Sequence, residues 1–403
     1  AGDMELFAWA LDEKRESREK GEKGEQSGSG SPRPRIVAVT GSNGKTTVTA
    51  MVGAMVRSAG WDAEVAGNIG PAVLDALMQR QDSGKLLPQA WILEVSSFQL
   101  ETTHSLRPDA AAVLNLSEDH FDRYAGMADY AAAKARIFLA GAGRGHDASG
   151  GVQILNREDP LVREMALPGR KQMTFGLDLP PGDSDFGLMR QGEDIWLAQG
   201  KTRLMKTSEL RVAGLHNTAN ALAALALCRA IALPFEPLLQ ALREFRGLPH
   251  RMEKVAAFRD ITFYDDSKGT NVGATVAALN GMAQRVVLIA GGDGKGQDFA
   301  PLAGPVAEHA RAVVLIGRDA GKIAAAIQHS EAPLHHAATM EEAVRKSFTL
   351  ARRGDAVLMS PACASFDMFR DYVHRAEAFV AAVKAVEHVE TGNSVNVDSV
   401  FSR

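Results

Sequence analysis

The feature that most constrains the fold is a repeated alternation of short apolar runs with helical patterns. From Ile36 onward the chain shows the runs IVAVT, WILEV, AAVLN and VQIL, and loops rich in Gly, Asn and Asp follow the first three. A second series, ITFYDD, VVLIAGG, AVVLIG and AVLMS, begins near residue 260, with a helical stretch after each run. Such alternation predicts an α/β fold with mostly parallel sheets covered by helices on both faces. Ligands in such sheets lie beyond the carboxyl ends of the strands.

The two series predict two α/β domains, which agrees with a length of 403 residues. We expect a P-loop-type, mostly parallel sheet domain followed by a smaller Rossmann-like domain, with the boundary near Gly247. A short helix is expected at 1–12 and a charged, then Gly/Ser/Pro-rich, flexible linker at 13–35. The last residues show no readable pattern and are expected to be disordered. The predicted divisions are therefore 1–35, 36–247, 248–386 and 387–403.

Composition excludes several functional classes. A net charge of -4 gives no overall positive field for nucleic acid or anionic membrane surfaces. The apolar stretch 219–228 (ANALAALALC) is too short to span a bilayer and predicts a buried helix. Cys228 and Cys363 are far apart and lack metal-ligand spacing, which is typical of free thiols in a cytoplasmic protein. We expect a cytoplasmic monomer with no nucleic-acid or membrane partner.

The segment TGSNGKTT at 40–47 is the strongest single motif. It follows a strand-like run and precedes the helical pattern TVTAMVGAMV, but it is shorter than the pattern G-x-x-x-x-G-K-[ST], whose first glycine would fall at Val39. A glycine-rich turn between a strand and a helix often binds no ligand. Here, however, a lysine charge and threonine hydroxyls stand where helix N–H groups could hold phosphate and Mg²⁺. The predicted phosphate-binding residues are Gly41, Ser42, Asn43, Gly44, Lys45, Thr46 and Thr47.

Candidate magnesium ligands follow neighbouring strand-like runs. Glu94 lies at the end of WILEV, and Asp119, His120 and Asp122 lie in NLSEDHFD just after AAVLN. Each group could be an ordinary polar loop. Their shared position at the carboxyl ends of strands near the phosphate loop favours a metal site, because Mg²⁺ prefers oxygen ligands.

Ten segments occur in an order that is similar to the Mur ligase family, and within it to the branch that adds D-glutamate. They span about residues 36–385 and read TGSNGKTT, GNIG, LEVSSFQLE, NLSEDHFDRY, YAAAKARIF, GLHNTANALAA, GLPHRME, DDSKGTN, GGDGKGQDF and SPACASFDMF. The resemblance implies a peptidoglycan-precursor ligase with the substrates ATP, UDP-N-acetylmuramoyl-L-alanine and D-glutamate. It also implies that ATP converts the acceptor carboxylate into an acyl phosphate, which the amine then attacks.

Lys134 lies in the predicted helix YAAAKARIF. A helical lysine is usually a solvated surface charge, but the resemblance implies that Lys134 carries a carbamate formed with CO₂. A lysine amine is mostly protonated in water, whereas a carbamate offers oxygen ligands to a metal ion. The resemblance further implies two Mg²⁺ ions, one near Thr46 and Glu94 and one near His120 and the carbamate. The implied catalytic residues are Lys45, His120 and Lys134.

The resemblance also assigns the remaining substrate contacts. It places Asn217 and Asn220 at the adenine, although both could simply cap the Ala/Leu helix. Lys295 could be an ordinary loop charge, Ser365 and Phe366 could serve capping and packing, and His250 could be structural. The implied ATP contacts are Asn217, Asn220, Arg251 and Asp266. The implied contacts of the muramoyl-alanine part are Asn68 and Ser97. The implied surroundings of D-glutamate are Lys268, Thr270, Lys295, Ser365 and Phe366.

The segment GDMELF near the start resembles the junction that follows the family's N-terminal, UDP-binding domain. We therefore expect this chain to lack that domain. Two alternatives to the D-glutamate ligase stay open: an ATP-binding module that is inactive without the missing domain, and another amide ligase such as a folylpolyglutamate synthase. DDSKGTN and GGDGKGQDF favour the D-glutamate branch. Closure of the two domains around ATP is also expected.

Overall fold

The computed structural model describes residues 1–21, 33–121, 123–139, 150–212 and 214–392. Its contacts divide the chain into two compact units. The first unit contains residues 1–116 and 124–246, and the second unit contains residues 117–123 and the chain from 247 onward. The segment 117–123 thus belongs to the second unit, although the sequence division assigned it to 36–247.

The first unit is built around one sheet of nine strands in the order β2-β3-β1-β4-β5-β6-β7-β8-β9. Pairing is parallel from β2 to β7, and β7, β8 and β9 form an antiparallel extension. The strands are β1 (Arg35–Thr40), β2 (Ala63–Gly67), β3 (Ala90–Glu94), β4 (Ala110–Val113), β5 (Val152–Asn156), β6 (Gln172–Phe175), β7 (Phe186–Gln191), β8 (Asp194–Gln199) and β9 (Thr202–Lys206). The helices are α1 (Asp3–Gly21), α2 (Lys45–Ser58), α3 (Val73–Asp82), α4 (Ser97–Glu101), α5 (Met127–Leu139), α6 (Pro160–Arg163), α7 (Leu215–Ala230) and α8 (Phe235–Glu244).

Helices cover both faces of this sheet, as the alternation of apolar runs predicts. Successive residues of a strand point to opposite faces. Val37 and Val39 of β1 therefore lie in one core with α2, α7 and α8, and Ile36 and Ala38 lie in the other with α1, α3, α4 and α5. All four residues are buried, which explains why β1 reads as a continuous apolar run.

Helix α1 is longer than the sequence predicted. It continues past Asp12 to Gly21, because EKRESREK contains good helix formers and no glycine or proline. The predicted linker is therefore wrong up to Gly21, and 22–32 lie outside the described residues. The start of α1 is fixed by the buried carboxylate of Glu5, which accepts hydrogen bonds from the backbone N–H groups of His104 and Ser105 at 2.6 and 2.9 Å.

The second unit contains a six-stranded sheet in the order β10-β11-β15-β12-β13-β14. Only the edge pair β10–β11 is antiparallel. Its strands are β10 (Glu253–Phe258), β11 (Ile261–Asp265), β12 (Val286–Gly291), β13 (Ala310–Ile316), β14 (Leu334–His336) and β15 (Ala356–Met359). Its helices are α9 (Val272–Asn280), α10 (Ala303–His309), α11 (Ala320–Ile327), α12 (Met340–Leu350) and α13 (Tyr372–Thr391).

The helices of the second unit lie on opposite faces of its sheet, and the chain leaves two adjacent strands towards different faces. Helices α9, α10 and α11 pack on one face, and α12 and α13 pack on the other. Strand β12 is followed by helix α10 on the first face and the neighbouring strand β15 by helix α13 on the second. A ligand site is expected at such a switch point.

Helix α13 reaches Thr391, so the predicted disordered tail is helical from 387 to 391, while 393–403 lie outside the described residues. None of the helices within the described ranges is long and apolar enough to cross a membrane. Cys228 and Cys363 are both buried and form no disulfide, as the sequence predicted. Burial raises the pKa of each thiol.

Candidate functional site

The TGSNGKTT segment forms a tight turn between β1 and α2. Gly41 has φ 148° and Gly44 has φ 82°, both in a region that L side chains rarely adopt. A Cβ atom at Gly44 would also lie 2.5 Å from Oδ1 of Asn220 on α7. Helix α2 begins at Lys45, immediately after Gly44, so its first N–H groups and positive dipole end face the loop. The turn thus has the features of an anion-binding site at a helix N-terminus.

Asn115, just beyond β4, holds this loop in place. Its Oδ1 accepts a hydrogen bond from the Asn43 N–H at 2.8 Å, and its Nδ2 donates to the Asn43 carbonyl at 3.1 Å. The Ser42 N–H donates to the Asn115 carbonyl at 2.8 Å. Sequence reasoning did not single out Asn115, although its place at the end of AAVLN beside the phosphate-loop strand was a usable signal.

Two lysine amines meet at the first glycine of the loop. Nζ of Lys45 donates to the carbonyl oxygens of Gly41 and Ser42, both at 2.8 Å. Nζ of Lys134, on α5, donates to the same Gly41 carbonyl at 2.9 Å. Lys134 is only 1% exposed, so it is not a solvated surface charge. Its amine lies 4.5 Å from the ring centroid of Tyr130, a favourable cation–π contact.

Glu94 ends β3 beside the phosphate-loop strand and is 2% exposed. Its Oε1 accepts a hydrogen bond of 2.8 Å from Nδ2 of Asn68, whereas its Oε2 has no hydrogen-bond partner within the described residues. A buried carboxylate oxygen without compensation is unfavourable unless a cation or donor satisfies it. The oxygen therefore fits a hard metal ion such as Mg²⁺. Thr46, in the first turn of α2, is the hydroxyl residue predicted for the same ion.

Ser97 and Asn68 lie in the first unit near the end of β3. Ser97 begins α4 and is buried, and the preceding Ser96 forms a capping box with Gln99 that fixes the start of this short helix. The backbone N–H of Asn68 donates to the Glu94 carbonyl at 2.8 Å, so Asn68 is bound to Glu94 through both main chain and side chain.

The capping alternative for Asn217 and Asn220 is not what the structure shows. Gly214 occupies the N-cap position of α7 without a side-chain cap, and both asparagines lie inside the helix. Nδ2 of Asn220 donates to Oδ1 of Asn217 at 3.3 Å. Since Asn220 also contacts the Gly44 position, this asparagine pair lies directly behind the phosphate loop.

His120 lies in the segment that belongs to the second unit. Its backbone has a left-handed φ of 58°, and its N–H donates to Oδ1 of Asp119 at 3.0 Å. Glu118 of the same segment accepts a hydrogen bond from the Asp298 N–H at 3.3 Å. Asp122 is outside the described residues. The predicted metal ligands are thus divided: Glu94 and Lys134 belong to the first unit and His120 to the second.

Asp266 follows β11 in the second unit and is buried. It accepts hydrogen bonds from Oγ of Ser360 at 2.7 Å and from the Met252 N–H at 3.3 Å. Burial raises the pKa of Asp266 to about 7, although the Ser360 hydrogen bond and the charge of Arg251 act in the opposite direction. The structure therefore puts Arg251 within electrostatic range of Asp266, the other residue predicted to contact ATP from this unit.

His250 is held by a buried carboxylate. Its Nδ1 lies 2.7 Å from Oδ2 of Asp265, and its ring contacts Tyr372 edge-on with centroids 6.2 Å apart. The side chains of His250, Glu253 and Asp265 could together hold a metal ion. The hydrogen bond between His250 and Asp265 already gives both side chains a polar partner without one. His250 therefore has a structural explanation.

The residues predicted around D-glutamate lie on three loops at the carboxyl ends of strands in the second unit. Lys268 and Thr270 follow β11, Lys295 follows β12, and Ser365 and Phe366 follow β15. Backbone hydrogen bonds between Asp293 and Ala364, at 2.9 and 3.0 Å, join the last two loops. Phe366 is 72% exposed and so is not packed in a core, whereas Ser365 is buried; Asp371, not Ser365, caps α13.

Family models match both units. The model described as the Mur ligase middle domain matches residues 39–228, and the one described as the Mur ligase, glutamate ligase domain, matches residues 250–363. The UDP-N-acetylmuramoylalanine--D-glutamate ligase of Nitrosospira multiformis is 68% identical, over 98% of this chain and 79% of that protein. The protein of the same name from Nitrosomonas europaea is 64% identical, over 96% of this chain and 78% of that protein.

Solved structures share the fold at low sequence identity. UDP-N-acetylmuramate-alanine ligase MurC from Thermotoga maritima has a TM-score of 0.59 at 20% identity, covering 88% of this chain and 76% of that chain. The folylpolyglutamate synthase of Mycobacterium tuberculosis has a TM-score of 0.62 at 16% identity, covering 90% and 92%. The family matches and close relatives together confirm the predicted relationship. The chain belongs to the Mur ligase family, whose members are ATP-dependent ligases that form amide bonds.

Proposed function

We propose that this chain joins the amino group of D-glutamate to the alanyl carboxylate of UDP-N-acetylmuramoyl-L-alanine at the expense of ATP. A carboxylate oxygen attacks the γ-phosphorus, the bond to ADP breaks, and an acyl phosphate forms. The amine then attacks the acyl carbon, a tetrahedral intermediate forms, and phosphate leaves as the nitrogen loses its proton. The substrates follow from the names of the relatives that are 68% and 64% identical over nearly the whole chain.

The observation that carries the proposal is the meeting of Lys45 and Lys134 at the Gly41 carbonyl, at 2.8 and 2.9 Å. Phosphoryl transfer to a carboxylate requires ATP phosphates and acceptor to be held side by side with their charges neutralised. Lys45 is the proposed partner of the phosphates. Lys134 approaches the same loop from α5 and is the proposed acceptor-side group. Asn217 and Asn220 would contact the adenine, and Arg251 and Asp266 the rest of ATP.

The residues also fit the metal ions that this reaction class uses. The unsatisfied Oε2 of Glu94 and the Thr46 hydroxyl would hold one Mg²⁺. Lys134 in the first unit and His120 in the second are the other proposed metal ligands. When bound, Mg²⁺ neutralises negative charge on the phosphoryl oxygens. Asn68 would orient Glu94 through its 2.8 Å hydrogen bond, and Asn68 and Ser97 would contact the muramoyl-alanine part.

We further propose that Lys134 acts as a carbamate formed with CO₂. An amine is a donor and cannot ligate a cation while protonated, whereas a carbamate presents anionic oxygens. The burial of Lys134 supports this role, since a buried site shields a carbamate from water.

The second unit would supply the amino-acid site. D-glutamate has two carboxylates, so its pocket needs cations, and Lys268 and Lys295 lie on the loops that follow β11 and β12. Nζ of Lys268 is 3.8 Å from the ring centroid of Tyr372, which positions its charge. Thr270, Ser365 and Phe366 on the same loops would complete the pocket.

The deciding experiment measures phosphate release with ATP, Mg²⁺ and UDP-N-acetylmuramoyl-L-alanine, with and without D-glutamate. L-glutamate, L-lysine and meso-diaminopimelate serve as controls, and a folate substrate with L-glutamate tests the folylpolyglutamate alternative. Release that depends on D-glutamate alone supports the proposal. Release with another amino acid, or ATP binding with no amino-acid-dependent release, contradicts it for this chain.

A further inference from the structure

The second unit contains a buried cation that none of the assigned roles uses. Arg375, in the first turns of α13, is 1% exposed. Burial lowers the pKa of Arg375 to about 10, so the guanidinium is still protonated at neutral pH. Burying an arginine is unfavourable unless its N–H donors are hydrogen-bonded. The acceptors of the Arg375 hydrogen bonds therefore indicate what the buried guanidinium stabilises.

Those partners are two loops of the proposed amino-acid site. Nε of Arg375 donates to Oγ of Ser267 at 3.0 Å, and Nη2 donates to the Ser267 carbonyl at 2.7 Å. Nη1 donates to the Cys363 carbonyl at 3.0 Å. Ser267 immediately precedes Lys268 in the DDSKGTN loop (residues 265–271), and Cys363 lies two positions before Ser365 in the SPACASF loop (residues 360–366).

The SPACASF loop needs such a restraint. Ala362 has a left-handed φ of 58°, which is unfavourable for a residue with a Cβ and persists only where the surroundings impose it. The carbonyl of Ala362 accepts a hydrogen bond of 2.8 Å from Nε2 of Gln297, and the next carbonyl, of Cys363, accepts one from Arg375. The strained turn is therefore fixed from two sides.

We propose that Arg375 is a positioning residue that holds the DDSKGTN and SPACASF loops in the spacing needed to bind the amino-acid substrate. A planar guanidinium with fixed donor directions can join two loops, whereas a flexible ammonium cannot reproduce that geometry. The inference rests on the proposed function, because it treats these loops as the D-glutamate site. It assigns Arg375 no contact with the substrate.

The test compares Arg375→Gln and Arg375→Lys with a control in the same unit. Arg311 forms an ion pair with Asp355 at the opposite, amino end of the strands, so Arg311→Gln removes a comparable arginine network away from the loops. Arg375→Gln is expected to lower kcat/KM for D-glutamate about ten- to hundredfold, mainly through KM, while KM for ATP stays near its original value. The kcat/KM of Arg375→Lys for D-glutamate should lie between those of the original chain and Arg375→Gln. Arg311→Gln should leave KM for D-glutamate unchanged.

Amide hydrogen exchange provides a readout that is independent of activity. In Arg375→Gln the amides of 265–271 and 360–366 should exchange faster together, while those of β12 and β13 keep their protection. Unchanged exchange in these loops, or an equal rise in KM for D-glutamate in Arg311→Gln, would overturn the positioning role. If Arg375→Gln does not fold, Ser267→Ala, which removes the Oγ acceptor, must show the same pattern in weaker form.

Failure of the proposed function would look different. The unaltered chain would then show no D-glutamate-dependent release, while the exchange result would still decide whether Arg375 holds the two loops.

Discussion

Asn68 donates a hydrogen bond of 2.8 Å to Oε1 of Glu94, and Oε2 of the same carboxylate is buried with no partner among the described residues. The amide thus holds one oxygen of the carboxylate and leaves the other for a cation or a hydrogen-bond donor. This one-sided arrangement supports the metal-binding role that we propose for Glu94.

Glu94→Gln should therefore separate function from stability. The neutral amide removes a buried, half-satisfied charge, so the melting temperature without ligand should stay the same or rise. Mg²⁺-dependent phosphate release should fall more than about tenfold, because even loss of an outer ligand partner commonly costs that much in metal affinity. Thermal melts and Mg²⁺ titrations of both proteins test this. A lower melting temperature with full activity would make Glu94 a structural residue.

Lys134→Ala should abolish turnover and leave space for a small anion. Removing the buried side chain opens a cavity beside Gly41 and Tyr130, and acetate or formate in the assay should restore part of the activity if a carbamate is the working group. Loss of an electrostatic contact at such a site typically costs about 100- to 1,000-fold in rate.

Lys45→Ala is the matched variant for Lys134→Ala, since its amine contacts the same carbonyl. It should lose ATP binding and show no response to small carboxylates. Full activity of Lys134→Ala without added anion would remove the carbamate from the mechanism.

Gly44→Ala should destabilise the protein more than Gly60→Ala. Both glycines have φ 82°, but a Cβ at Gly44 would lie 2.5 Å from Oδ1 of Asn220, whereas nothing lies within 4 Å of one at Gly60. The backbone penalty of about 1–2 kcal/mol is common to both variants, so their difference isolates the steric conflict. Denaturant unfolding measures it, and Gly44→Ala combined with Asn220→Ala should recover part of the difference. Equal losses in the two single variants would contradict the close packing of the loop on α7.

Asp266 should make the free energy of unfolding depend on pH in an unusual direction. Burial raises its pKa from the ordinary 3.8 to about 7, so the folded protein binds a proton that the unfolded chain has released. Between about pH 4 and 7 this group therefore makes the protein less stable as pH rises, by up to about 1.4 kcal/mol per pH unit, and above pH 7 the loss is complete. The free energy of unfolding of Asp266→Asn should lack this pH dependence. Relative to the original chain, the variant should therefore be more stable at pH 8 than at pH 5, which denaturant unfolding at the two pH values measures.

Asp355 is the control, because its effect on the free energy of unfolding should change with pH in the opposite direction. Burial has the largest single effect and would raise the pKa of Asp355, but the hydrogen bonds from the Arg311 side chain and the Arg352 N–H, together with the charges of both arginines, outweigh it and lower the pKa. Its contribution is present above pH 4 and disappears as pH falls through the lowered value, so Asp355→Asn should lose stability at neutral pH. The same pH profile for both variants would show that burial does not control Asp266.

Sequence reasoning found most elements of the two units because buried parallel strands read as unbroken apolar runs. The runs IVAVT and WILEV became β1 and β3. It missed the antiparallel extension β7–β9, since FGLMRQ and DIWLAQ are only partly buried and show no such run. A sheet edge leaves one side of each strand in contact with solvent, which weakens the pattern.

The candidate site was predictable where chemistry is local and not where it depends on distant segments. The TGSNGKTT motif alone predicts a phosphate-binding loop. The burial of Lys134 does not follow from an alanine-rich helix, because its partner, the Gly41 carbonyl, is 93 positions away. Arg375 gave no signal for the same reason, since Ser267 lies 108 positions earlier.

The bonds of Lys45 to the Gly41 and Ser42 carbonyls also bear on ATP binding. The amine donates hydrogen bonds to these two oxygens at 2.8 Å, so the charge of Lys45 is hydrogen-bonded within the loop itself. In the proposed function, phosphate oxygens of ATP would compete with these two carbonyl oxygens for the amine, so ATP binding would exchange internal hydrogen bonds for bonds to phosphate.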